Sequence, residues 1–233
     1  MRVITKILWL VLSLGYAPFI LSQVGSNFIQ IDQFGYLPNQ NKVAVLSNPQ
    51  VGNNANLTYI PSSRLYVCEA QTNAIVLQLN PTPWRAGQTH SQSGDKGWWL
   101  DFSTLTTPGR YYVWDSIQNE RSAAFTIATD VYAPIIKAAG RMFYYNRCNA
   151  SKPSQYAGVW SDSMNFNHPL QDFNCRYIYN PNDGSLEKDL SGGWFDAGDN
   201  NKYVTFTHST LHQMLSAYEE NPAAYTDSWN IPE

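Results

Sequence analysis

The spacing of apolar residues changes once along this chain, near residue 130, and that change sets two kinds of structure in series. Between residues 27 and 129 apolar side chains alternate in seven short runs: 28–32, 42–46, 64–68, 74–79, 97–102, 110–114 and 123–127. Turn formers such as Pro38-Asn39, Gly52-Asn53-Asn54 and Pro108-Gly109 separate them, and Glu69 to Asn73 suits a hairpin between the third and fourth. Seven β-branched and aromatic runs in about a hundred residues predict an antiparallel sandwich of immunoglobulin type. The cysteine–tryptophan–cysteine spacing of antibody domains is missing, since only Cys68 lies in this region.

From Asp130 the period becomes helical. Tyr132, Ile135, Ile136, Ala139 and Phe143 recur at three and four, with Asp130 as the expected cap and Pro134 in the first turn. A second stripe runs through Tyr203, Phe206, Thr210, Leu211, Met214, Leu215 and Tyr218 and stops before Asn221-Pro222. The polar stretch between them, 148–193, is long for a connection inside a compact domain, which marks it as a functional loop or a disordered one. The predicted organisation is therefore a sandwich over 27–129 and a helical region over 130–233.

Residues 1–22 read as a secretory signal peptide. Arg2 and Lys6 precede an apolar stretch that Gly15, Tyr16 and Pro18 interrupt, and Ser22 offers a small residue for cleavage. Such a stretch is too broken for a span of ~20 apolar residues, so no membrane span is expected after its removal. The expected location is outside the cytoplasm, extracellular or periplasmic. A net charge of −3 argues against a nucleic-acid partner. A hydrophobic content of 43% excludes a wholly disordered chain.

The stretch with chemical content is Ser191-Gly192-Gly193-Trp194-Phe195-Asp196-Ala197-Gly198-Asp199-Asn200-Asn201-Lys202-Tyr203. Asp196 and Asp199 stand three apart on a glycine-rich turn that opens into the second helix. Their spacing leaves three uses open. Asp199 can cap the helix, where the macrodipole favours a negative charge. The pair can activate a water. Calcium is the third, although counting from Asp196 puts Gly198 where a calcium hand loop needs an oxygen donor.

This stretch resembles the signature of glycoside hydrolase family 9, the inverting endoglucanases and related β-glucanases. Phe143-Tyr144-Tyr145-Asn146-Arg147-Cys148 resembles the family's first catalytic-domain helix. Ile31-Asp32-Gln33-Phe34-Gly35-Tyr36-Leu37-Pro38 and Thr107-Pro108-Gly109-Arg110-Tyr111-Tyr112 resemble the immunoglobulin-like domain that precedes many of these catalytic domains. The resemblance implies an all-β sandwich followed by the start of an all-α (α/α)6 barrel. It also implies a secreted β-1,4-glucanase that acts on β-glucan with inversion. Asp199 then matches the general base that takes a proton from water, and Asp196 the aspartate that helps hold that water. The general acid implied by the family is a glutamate near the end of the catalytic domain, beyond Glu233. Twelve helices of ~12 residues with ~5-residue connections need at least ~200 residues, about twice the length of 130–233. The chain therefore reads as an amino-terminal fragment, expected to be inactive alone. Glu219 and Glu220 fall at a polar helix end and read as solvated surface.

Some relatives hold a structural zinc through a cysteine after the first helix, a Cys-His pair and a histidine before the aspartate motif. Here Cys148 matches the first position, but Cys175 is followed by Arg176, Asn167 precedes His168, and Phe195 stands at the last position. Zinc wants about four N or S ligands, so no metal site is expected. No cofactor is expected in this stretch, and a structural calcium is left open for the complete enzyme. After export, a Cys148–Cys175 disulfide is an option, with free thiols as the alternative. Trp98, Trp99, Trp114, Tyr111 and Tyr112 read as sandwich core or edge, while Trp160 and Trp194 are the candidates for a sugar cleft. Asn56 and Asn149 begin glycosylation sequons. The competing function is a non-catalytic carbohydrate-binding or structural secreted protein.

Overall fold

The computed structural model describes residues 25–197 and 199–232. The expected signal segment therefore lies outside the described residues. The chain divides into two compact units, one ending at Ile127 and the other starting at Ala128.

The first unit is a two-sheet antiparallel sandwich. Its strands are β1 (Ile29–Gln30), β2 (Val43–Pro49), β3 (Leu65–Glu69), β4 (Ile75–Leu79), β5 (Thr82–Pro83), β6 (Asp95–Asp101), β7 (Gly109–Asp115), β8 (Glu120–Arg121) and β9 (Phe125–Ile127). One sheet runs β1-β2-β6-β5; the other runs β4-β3-β7-β8, with β9 also on β7. All seven expected runs form strands, and β3–β4 is the expected hairpin. Asn73 turns it with a φ of 60°, a left-handed conformation that asparagine tolerates better than most residues. The two additional strands, β5 and β8, have two residues each, too few to show a period.

Alternation decides what is buried. In β2, Ala44 and Leu46 face inward while Val45 faces out. Leu65 and Val67 of β3, Leu100 of β6, Tyr111 and Val113 of β7 and Phe125 and Ile127 of β9 complete the core with Tyr36 and Phe102. Each large apolar side chain withdrawn from water contributes about 1.5–3 kcal/mol. Trp98 packs against this core, whereas its neighbour Trp99 is 45% exposed on the outer face.

The second unit has three α-helices among the described residues: α1 (Ala133–Tyr145), α2 (Ser154–Ala157) and α3 (Val204–Glu220). Pro134 lies in the first turn of α1 as expected, but Asp130 does not cap it. The N-cap is Tyr132, and Asp130 contributes only its backbone carbonyl, which accepts from Ala133 N at 2.9 Å. The chain already has helical dihedrals at Tyr132, so Asp130 lies two residues before the N-cap and its carboxylate does not cap the helix. Gly140 of α1 meets Trp229 so closely that an added Cβ would stand 2.2 Å from the indole. The last turns of the chain lie against α1 because that position has no side chain. Arg141 reinforces them by donating to the carbonyls of Trp229 and Asn230, each at 2.7 Å.

The apolar stripe of α3 forms on a helix as expected, yet no residue of α3 is buried. Phe206, Leu215 and Tyr218 are all more than half exposed. Among the described residues no helix is long and apolar enough to cross a membrane.

Candidate active site

The segment carrying Asp196 is fixed to the end of α1. Cys148 N donates to Gly193 O at 2.9 Å and Phe195 N donates to Asn146 O at 3.1 Å, forming a bridge between Arg147 and Trp194. The turn into this segment needs consecutive left-handed residues, and Gly192 (φ 80°) and Gly193 (φ 79°) supply them without a Cβ penalty. Ring contacts then hold Trp194 on Phe143 and Phe195 on Phe166.

Two side chains lock the long loop around this segment. Asn149 accepts from Gly192 N at 2.9 Å and donates to the carbonyls of Asn165 and Phe166. Its amide is thus committed within the protein, which makes the Asn149 sequon a structural feature. Lys202 donates to Asp172 at 2.6 Å and to the carbonyls of Leu190 and Gly192 at 2.7 and 3.2 Å. An ammonium that satisfies a carboxylate and two carbonyls offsets the cost of partial burial. Neither residue stood out in the sequence as a loop anchor. Lys202 was at least inside the motif, but its partners lie up to thirty residues away.

Beyond this anchor a cleft of about 370 Å³ opens between α1 and α3. Met142, Phe143 and Asn146 line it from α1 and its end, Tyr203, Phe206 and Thr210 from α3 and its start, and Trp194, Phe195 and Asp196 from the motif. Of the two candidate tryptophans, Trp194 lines this cleft, while Trp160 is 73% exposed beside Tyr145 and Lys152 instead. Among the described residues, Asp196 is the only carboxylate in the lining. The backbone of Asp196 donates to Asn201 O at 3.1 Å, closing the turn that carries both aspartates.

Asp199 is exposed and is tied to the cleft through Tyr203. Its Oδ2 accepts from Asn201 Nδ2 at 2.9 Å and from the Tyr203 hydroxyl at 3.4 Å, and Asn201 Nδ2 also donates to that hydroxyl at 3.1 Å. The Asn201 hydrogen bond, helped by Tyr203 and the Ala197 backbone, holds the Asp199 carboxyl below the usual carboxylate range. The cap reading of Asp199 does not hold. The N-cap of α3 is Tyr203, and no side chain caps that helix. The carboxylate instead accepts from two side chains of the motif, Asn201 and Tyr203, which the sequence alone did not mark as its donors.

None of the three cysteines is in a disulfide. Burial pushes the Cys148 and Cys175 thiols up from their ordinary value. Among the described residues no three His, Cys, Asp or Glu side chains cluster closely enough to hold a metal ion. At the position where the resemblance implied a histidine for zinc, Phe195 makes an edge-to-face contact with Phe166.

Residues 132–232 match glycosyl hydrolase family 9, and residues 25–117 match the cellulase N-terminal ig-like domain. The helical segment belongs to glycosyl hydrolase family 9. The chain is 29% identical over 204 residues to the xyloglucan-specific endo-beta-1,4-glucanase BoGH9A of Bacteroides ovatus, covering 85% of itself and 31% of that protein. It is 26% identical over 229 residues to a cellulose 1,4-beta-cellobiosidase of Acetivibrio thermocellus, covering 88% of itself and 24% of that protein. Among solved structures, a metagenome-derived glycoside hydrolase family 9 endoglucanase superposes with a TM-score of 0.65 at 30% identity, over 86% of this chain and 35% of that one. The chain thus spans about a quarter to a third of the length of these curated relatives. Its fold is an immunoglobulin-like sandwich followed by the helical start of a family 9 catalytic domain.

Proposed function

We propose that the helical unit supplies the water-activating half of a β-1,4-glucan hydrolase that works by inversion outside the cytoplasm. The observation that carries this reading is the Asp199 carboxylate. It is held by Asn201 and Tyr203, kept ionised, and freed from helix capping. An inverting glycosidase needs a carboxylate base that takes a proton from water while a carboxylic acid ~6.5–9.5 Å away protonates the leaving oxygen. In this reading Asp199 is the base and Asp196 orients the water. Trp194, Phe143 and Tyr203 offer aromatic faces to the apolar side of a sugar ring. The acid comes from a region of a family-length enzyme outside this chain. The names of the relatives, which include an endo-beta-1,4-glucanase and a cellobiosidase, support a β-1,4-linked glucan as substrate. The basic and then apolar amino terminus supports export.

Proton NMR of cellotetraose hydrolysis by a family-length enzyme carrying this segment tests the stereochemistry. The α-anomer is expected as the first product from the β-linked substrate. Early accumulation of the β-anomer instead would indicate a covalent intermediate and remove Asp199 from the role of base.

The hydrogen bonds to Asp199 give a second test. A base must be deprotonated, so kcat/KM falls as pH drops through its pKa. Asn201→Ala or Tyr203→Phe removes a donor to the ionised form, so that pKa rises. The acid limb of the pH profile is then expected to move to higher pH, with Asn201→Ala moving it further because that bond is the larger cause. An acid limb that stays in place in both variants argues that another group controls it.

A further inference from the structure

The outer face of the β1-β2-β6-β5 sheet carries a second groove, of about 280 Å³, close to the lower limit of ~300 Å³ for small-molecule sites. Its floor is Gly97, which pairs with Ser47 of β2 and leaves a gap in the row of side chains on that face. A Cβ added at Gly97 would meet nothing closer than 3.7 Å, so the backbone does not require glycine there and the absent side chain is what opens the groove. Trp99 and Trp84 bring indole rings to it. Trp99, two positions from Gly97 on the same face, keeps almost half its surface in water. Trp84 is presented by a turn in which Arg85 (φ 41°) and Ala86 (φ 54°) both adopt left-handed dihedrals. Such strain persists where the surrounding structure demands a particular placement.

The polar groups of the groove are complementary in kind. His90 Nδ1 accepts from Ser93 N at 3.1 Å, which leaves Nε2–H as the donor of the neutral ring. The Asp95 carboxylate makes no hydrogen bond among the described residues and is an acceptor only. A pyranose fits this combination, since its C–H face packs on an indole while its hydroxyls both donate and accept. An anion would meet Asp95. A protein partner would need about 800 Å² of contact surface, far more than this groove provides.

We propose that the sandwich binds a β-1,4-linked gluco-oligosaccharide in the groove floored by Gly97 and walled by Trp84 and Trp99. The choice of glucan rests on the proposed function; the groove and its polarity do not. Isothermal titration of the full chain with cellohexaose tests this, with thermal melting of each variant as the check on folding. Trp99→Ala and Gly97→Leu, one removing a wall and the other filling the floor, are each expected to weaken binding at least tenfold. Ile178→Ser, at an exposed loop position of the helical unit, is expected to leave it within twofold. Absence of cellohexaose binding to the full chain overturns the proposal, as does binding that both groove variants retain at full strength. Either result leaves the anomer and pH tests of Asp199 standing on their own, because those read hydrolysis.

Discussion

Asp199→Asn, introduced into an enzyme of full family length, is expected to lower kcat on β-1,4-glucan by ~10²–10⁴-fold, the usual worth of a positioned general base. KM should change little, because in the proposed role the substituted atom meets the attacking water and not the sugar. The amide keeps the size of the carboxylate and can still pair with the Tyr203 hydroxyl, so the turn from Asp196 to Tyr203 should keep its shape. Folding is the control, and Asp199 is exposed with no role in starting α3. Stability of the variant should match the parent within ~0.5 kcal/mol, the ordinary range for surface changes. Near-normal turnover in the folded variant would refute the assignment. A smaller Asp199→Ala side chain leaves room for a carboxylate from solution, so added formate should restore part of the lost rate.

The physical basis of that expectation lies in what surrounds the carboxylate. Hydrogen bonds to the ionised form, that from Asn201 foremost, hold the Asp199 carboxyl below its ordinary value. Asn201 and Tyr203 stabilise the charged form of Asp199 specifically. The start of α3 therefore serves the site through side chains, and its first amides go without a side-chain cap. A helix end that gives up a cap worth ~1 kcal/mol while its preceding carboxylate serves elsewhere is a local departure from stability rules. Such departures concentrate at functional sites.

Regular elements were legible because their periods are local. Every strand of five residues or more sits on an alternation visible in the chain, and α1 and α3 sit on the two stripes. Trp98 and Trp99 illustrate the limit of that reading. Both count as sandwich aromatics, but only their place in the pleat sends one to the core and the other to water. Closure of the long loop was not legible, since Asn149 and Lys202 act on carbonyls and carboxylates that only the folded chain brings near. Lys42 shows the same thing in the sandwich. A charge at the start of an apolar run looks like surface, yet its side chain is buried and its amine donates to the carbonyls of Pro38 and Gln40. The motif itself was legible as a pair of carboxylates. That Asp199 is not a cap needed the register of α3.

Asp115→Ala is expected to destabilise the sandwich by about 3–4 kcal/mol, a large loss on the scale of single substitutions. Asp115 ends β7 with no exposed surface. Its carboxylate accepts from Tyr59 OH at 3.1 Å, Ser62 N at 2.9 Å and Ser62 Oγ at 2.6 Å, and from the amides of Ile117 and Gln118 at 3.2 and 3.1 Å. Removing it leaves several donors without an acceptor, each costing about 1–3 kcal/mol where water cannot replace the lost partner. The same network sets a dependence on pH. Burial alone would push the Asp115 carboxyl up, but the hydrogen bonds from Ser62, Gln118 and Tyr59 outweigh it and hold the group below its ordinary value. A carboxyl depressed in the folded state contributes stability that is fully present above its unfolded pKa of ~3.9 and lost as pH falls through the folded value. Urea unfolding of the full chain, with hydrogen exchange at β3 and β7 amides as the local probe, should therefore show stability falling below about pH 4. That acid-side slope should be shallower in Asp115→Asn, which cannot titrate. A loss under ~1 kcal/mol in Asp115→Ala, with unchanged exchange in β3 and β7, would mean that the donors find other acceptors and that Asp115 does not hold the crossing between residues 59–62 and β7.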